Sequence, residues 1–149
     1  MASHPHPLRN AECIFCKIVA GEIPCHKVYE DDKTLAFMDI FPLSPGHTLV
    51  IPKDHHPDLF ALPDDLGSPL MTTSRRVALA IAKAFGPDGV NLFQANGAAA
   101  GQTVFHFHLH ILPRRKGDGV ISTDHGQRPG DHAALAKEAE AVRAVLAEM

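Results

Sequence analysis

The chain has 149 residues, roughly one domain's worth, with 45% apolar and 21% charged residues, as in an ordinary globular protein. Its formal charge of −3 sets aside a nucleic-acid binder that relies on a basic surface. No apolar run approaches the roughly 18 residues of a membrane span, and the proline-broken start from Met1 to Pro7 lacks a secretory apolar core, so a cytoplasmic domain is expected.

Residues 1–12 read as a flexible N-terminal arm, because each proline in His4-Pro5-His6-Pro7 bars its predecessor from helix. Cys13 to Ala20 predicts one or two helical turns stopped by Gly21. His26 to Tyr29, Thr34 to Ile40 and His47 to Ile51 read as strands, the third bounded by Pro45-Gly46 and Pro52. From 64 to 85, Leu70, Ser74, Val77, Ala78, Ile81 and Phe85 recur at spacings of three and four, which predicts a helix ended by Gly86-Pro87. Val90 to Ala95 and Val104 to Leu112 read as two further strands, separated by the small-residue loop Asn96 to Gly101. Residues 131–148 read as a closing amphipathic helix, with Leu135, Ala139, Val142 and Leu146 on one stripe. Strands outnumber helices and short turns join neighbours, so an α+β domain with an antiparallel sheet is predicted.

The 11 histidines are unevenly spread, and His106, His108 and His110 fall within five residues. On a strand these three share one face, while Phe105, Phe107, Leu109 and Ile111 share the other and should meet the core. A polar face made of histidine by chance is one reading. A single metal held by all three is a second, but His106 and His110 would lie about 13 Å apart along a straight strand, too far for bonds near 2 Å. Division of labour along a groove fits the geometry best. A neutral imidazole is a nucleophile near pH 7, and flanking rings can orient it or stabilise charge.

His106-Phe107-His108-Leu109-His110-Ile111-Leu112 resembles the His-φ-His-φ-His-φ-φ signature of the histidine triad (HIT) superfamily, where φ is apolar. Further stretches are similar in the same order: Ile14 to Ile18, Gly21 to Pro24, Val28 to Asp32, Ala36 to Ile40, Gly46 to Lys53, and Gly101 to Phe105. The resemblance spans residues 13–119 and leaves 120–149 as a C-terminal extension carrying the last helix. It implies a small α+β meander that pairs into a homodimer, and an enzyme that hydrolyses nucleotides at the α-phosphate. The nucleoside phosphoramidase branch is the nearest in kind. Dinucleoside polyphosphate hydrolysis is the rival activity, with Lys53, Arg114, Arg115 and Lys116 as cations for the extra phosphates. A non-catalytic, zinc-stabilised binding module is the rival class.

Carried over, the resemblance makes His108 the nucleophile that becomes nucleotidylated. His110 and His47 would support the phosphate. Thr103 would stand near the scissile bond, where many relatives carry serine. Gln102 and Asn96 would meet phosphate or leaving-group atoms. Asp39 would accept the ribose hydroxyls, and Phe15, Ile18, Phe37 and Ile40 would form an apolar slot for a purine base such as that of AMP. No organic cofactor is implied.

The Cys13-x-x-Cys16 pair offers two zinc ligands where a structural site wants four. Small buried thiols are the plain alternative. A redox pair is disfavoured, because no βαβ pattern surrounds it. Some bacterial HIT relatives hold structural zinc with this pair, a histidine after the Pro-Lys turn and the first triad histidine. Here those would be Cys13, Cys16, His55 and His106, with His56 competing for the third place.

Overall fold

The computed structural model describes residues 8–121 and 128–149. The elements in chain order are helix α1 (Ile14–Val19), strands β1 (Lys27–Glu30), β2 (Thr34–Met38) and β3 (Thr48–Pro52), helix α2 (Gly67–Phe85), strands β4 (Gly89–Phe93) and β5 (Leu109–Arg114), and helix α3 (His132–Glu148). The strands form one antiparallel sheet in the order β1-β2-β3-β5-β4, the predicted α+β class.

Alternation along β2 and β3 divides the core between two faces of the sheet. Ala36, Val50 and Ile111 meet Leu70, Val77 and Ile81 of α2 on one face. Leu35, Phe37, Leu49 and Ile51 meet Cys13, Phe15 and Cys16 around α1 on the other. Both faces being covered, β2 and β3 are buried almost throughout. α2 is helical because its apolar residues fall at spacings of three and four. It stops at Gly86, which caps it in the left-handed conformation at φ 55°.

The turn into β3 is built around Gly46, at φ 92°. A Cβ there would lie 3.0 Å from Pro113 and 3.1 Å from Phe85, so no larger residue fits without displacing β5 or the end of α2. Ser44 Oγ donates to the Pro113 carbonyl at 2.7 Å, which fixes the turn against β5 and sets where His47 enters the sheet.

Element ends differ from those expected: β2 stops at Met38 rather than Ile40, and β4 covers Gly89–Phe93 rather than Val90 to Ala95. The last strand begins at Leu109 and runs to Arg114, rather than covering Val104 to Leu112. Residues 104–106 bend, and Phe105, expected on the core face, is 50% exposed. Phe107 and Ile111 do reach the core, with Leu109 packed against it. The closing helix forms as predicted, but among the described residues its stripe is uncovered, with Leu146 60% exposed. Of the expected arm, residues 1–7 lie outside the described residues. Residues 8–12 are tied down: His55 N–H donates to the Leu8 carbonyl, Cys13 N–H to that of Asn10, and Arg9 pairs with Glu22.

Candidate active site and metal centre

Four histidines lie on the α1 face of the sheet. His110 is opposite Leu49 on β3 and opposite Phe93 on β4, the direct result of the strand register. His47 immediately precedes β3, and its carbonyl accepts the Asp39 N–H at 3.0 Å. His106 and His108 stand on the bend before β5, with Phe15 edge-on to both rings at 5.8 and 5.2 Å.

Their hydrogen bonds determine where each ring carries its proton. The Pro52 carbonyl can only accept, so His106 donates Nε2–H to it at 2.8 Å and keeps a lone pair on Nδ1. The His106 carbonyl likewise takes Nδ1–H from His108 at 2.7 Å, leaving the lone pair of His108 on Nε2. Leu43 N–H donates to His47 Nδ1 at 3.1 Å, so His47 carries its proton on Nε2 and gives it to His110 Nδ1 at 2.9 Å. His110 therefore presents Nε2–H. One lone pair and one N–H donor stand side by side, on rings 4.9 Å apart between centroids.

Burial holds these rings neutral. It lowers the pKa of His47 and His108 below the usual imidazole value, against the opposing charge of Asp39. It takes His110 to about 4, helped by His108 and His47. Phe93 stacks on His110 at 4.2 Å and 9°, so one ring face is covered. Phe93 was not foreseen from the sequence. Its signal lies in the pairing of β4 with β5, which periodicity alone does not disclose.

Asp39, His47 and His110 bring three possible metal-ligand atoms within 4.8 Å of one another. The proton positions argue for a relay here instead. A metal on His47 Nε2 would drive the proton to Nδ1, where it would face the Leu43 N–H.

The second cluster has the opposite character. Ligand atoms of Cys13, Cys16, His55 and His106 lie within 4.8 Å of one another. His106 Nδ1 is 3.4 Å from Cys13 Sγ and 3.5 Å from Cys16 Sγ, and His55 Nδ1 is 3.3 Å from Cys16 Sγ. Ligands of a tetrahedral zinc with bonds of 2.0–2.3 Å lie about 3.5 Å apart. Two thiols converge on one lone pair, which a shared cation satisfies better than two hydrogen bonds can. The Pro52 carbonyl orients His106 from behind, as an outer-shell partner does. The donor set fits zinc, and four protein ligands would leave a bound ion no open position. His55, not His56, lies in this cluster. Burial pushes the Cys16 thiol up to about 11, so loading a metal must displace that proton.

The remaining predicted site residues fall into three groups. Phe15 and Phe37 are buried and meet edge to face at 5.4 Å, and Ile18 packs partly buried against them. Thr103 and Ile40 are exposed, the latter 69%. Gln102 and Asn96 spend their amides inside the protein. Gln102 accepts from Gly97 N–H and donates to the carbonyls of Pro57 and Val104. Asn96 accepts from Leu59 N–H and exchanges hydrogen bonds with Gln94. Both tie the loop from Asn96 to Gln102 to the segment around Pro57 and Leu59. Three of the four cations considered for extra phosphates are committed elsewhere. Lys53 pairs with Glu30, Arg114 with Asp118 and Asn91, and Arg115 with the last carbonyls of α2.

This arrangement is that of a histidine-triad domain. The HIT domain family model matches residues 20–117, and the chain belongs to that family. It is 51% identical over 108 residues to "Protein hit" of Bacillus subtilis, covering 72% of this chain and 74% of that protein. It is 49% identical over 113 residues to "Adenylylsulfatase HINT3" of Arabidopsis thaliana, covering 76% and 57% respectively. Among solved structures, a histidine triad nucleotide-binding protein from Candida albicans aligns with a TM-score of 0.83 at 34% identity over 92% of this chain and 99% of that one. A Zn-bound histidine triad family protein from Mycobacterium smegmatis aligns with a TM-score of 0.70 at 40% identity over 87% and 97%. Nucleotide binding and hydrolysis are thus represented within the family.

Proposed function

We propose that this protein hydrolyses nucleoside phosphoramidates or related conjugates of AMP at the α-phosphate, through a nucleotidyl-histidine intermediate. The observation that carries this reading is the pair of fixed protons: a lone pair on His108 Nε2 beside an N–H on His110 Nε2. In the first step His108 Nε2 bonds to the α-phosphorus and the bond to the leaving group breaks. The leaving amine takes a proton from solvent, by way of the exposed Thr103 hydroxyl. The ring then carries positive charge, which the Nδ1–H hydrogen bond to the His106 carbonyl and the nearby Asp39 carboxylate stabilise. His110 Nε2–H donates to a phosphate oxygen. Water next attacks phosphorus and gives up a proton to solvent, the N–P bond breaks, and the nucleoside monophosphate leaves with His108 restored.

Around this chemistry, Asp39 meets the ribose hydroxyls, and Phe15, Ile18, Phe37 and Ile40 flank the base. Gln102 and Asn96 hold the loop that borders the leaving group. Zinc on Cys13, Cys16, His55 and His106 would tie α1 to the triad and takes no part in bond making. The committed cations favour a short leaving group over further phosphates. The protein would work in the cytoplasm as a homodimer.

The test is AMP release from adenosine 5′-phosphoramidate. Wild type is expected to release AMP, and to continue under a chelator while it stays folded. His108→Ala should lose about 10⁴-fold or more, as covalent nucleophiles do when removed. No release, with AMP still binding, would turn the reading into that of a binding module.

A further inference from the structure

The two oxygens of Asp39 have different neighbours. Oδ1 accepts the Phe41 N–H at 2.8 Å, which anchors the carboxylate just beyond β2. Oδ2 lies 3.5 Å from His47 Nε2. That nitrogen carries the single proton of His47, which is already donated to His110 Nδ1 at 2.9 Å. The N–H is therefore given to a neutral acceptor while a charged oxygen lies 3.5 Å from the same nitrogen. The His47 side chain is 2% exposed, so solvent screens this nitrogen weakly. In such surroundings a carboxylate competes strongly for a proton donor.

We infer that Asp39 is a positioning residue as well as a sugar ligand, and that it makes turnover depend on the hydroxyls of the substrate's ribose. The inference rests on the nucleotide reading given above. Two sugar hydroxyls donating to Asp39 draw its charge away from the His47 N–H. The existing hydrogen bond to His110 is then relieved of the carboxylate's pull, and His110 is held with its own Nε2–H toward the phosphate. A nucleotide without the diol still binds by base and phosphate, but it leaves Asp39 pulling on His47. Discrimination between ribo- and deoxynucleotides then appears in kcat and not only in KM. A carboxylate that merely gripped the sugar would change KM alone.

The test crosses two substrates with two proteins. Wild type and Asp39→Asn are assayed on adenosine 5′-phosphoramidate and on its 2′,3′-dideoxy analogue, with kcat and KM read separately. In parallel, wild type with 15N-labelled histidine is titrated to saturation with AMP and with 2′,3′-dideoxy-AMP, and the ring nitrogens of His47 and His110 are followed by NMR. A hydrogen bond to a charged group is worth tenfold or more. The wild-type kcat is therefore expected to drop about tenfold between the two substrates, and the two kcat values of Asp39→Asn should lie within about twofold. AMP should move the His47 and His110 nitrogen signals, and the dideoxy nucleotide should leave them near their free positions. A hydroxyl effect confined to KM, or equal histidine shifts with both nucleotides, overturns the inference and leaves the nucleotide reading standing. If neither nucleotide shifts any histidine of the site, the nucleotide reading falls and this inference falls with it.

Discussion

Every ring in the triad region is held neutral by burial, and that has a cost under acid. His110 has its pKa lowered to about 4, against the ordinary 6.5 that it regains when the chain unfolds. Between those values the unfolded chain binds the proton and the folded chain does not, so stability rises with pH across that window. The contribution is fully present above about 6.5 and is lost as pH falls toward 4. Thermal melts from pH 7.5 down to 4.5 should show a falling Tm in wild type and a shallower fall in His110→Gln; equal slopes would refute this account of His110. The identities of these residues were legible in the sequence, because three histidines alternating with Phe107, Leu109 and Ile111 are hard to read another way. Their tautomers were not, since they depend on Leu43 N–H and the Pro52 carbonyl, groups that every residue of their kind carries and that only the fold brings near.

At the scale of elements, the Cys13, Cys16, His55 and His106 cluster joins three pieces of chain: the start of α1, the segment after β3 and the bend before β5. α1 has only six residues and would be marginal alone. A bound zinc would make these pieces cooperate in unfolding. Chelation of the purified protein is expected to lower Tm by about 5–10 °C, the equivalent of a few kcal/mol in a chain of this size. Absence of zinc by elemental analysis together with an unchanged Tm would remove the metal from the reading. Most elements were readable, because α2 keeps its three-four spacing and β2 and β3 are apolar runs between turn residues. The start of β5 was not. Val104 to Phe107 alternates as a strand should, yet His106 is drawn aside by the thiols and by Pro52, and that tertiary pull bends the segment out of the sheet.

At the scale of the molecule, β4 is an edge strand whose Val90 and Leu92 are partly exposed, and α3 carries an apolar stripe that none of the described residues covers. Edges and stripes of this kind invite pairing. The proposed homodimer would use them, and light scattering at micromolar concentration should report twice the chain mass. A monomer would take the dimer out of the proposal. α3 was predictable as a helix from its spacing alone, but what it packs against is beyond any single-chain pattern.

The acceptors and donors that orient His106, His108 and His47 belong to the main chain. A scan that trims side chains one at a time would leave all three groups in place, since alanine at 43, 52 or 106 keeps the amide or carbonyl, and at 106 it would report on the lost ring instead. The arrangement of protons is therefore insulated from drift in those side chains, so long as the backbone path survives. Engineering it would call for edits to the peptide bond itself, such as an ester at the Leu43 position, which deletes the N–H and little else.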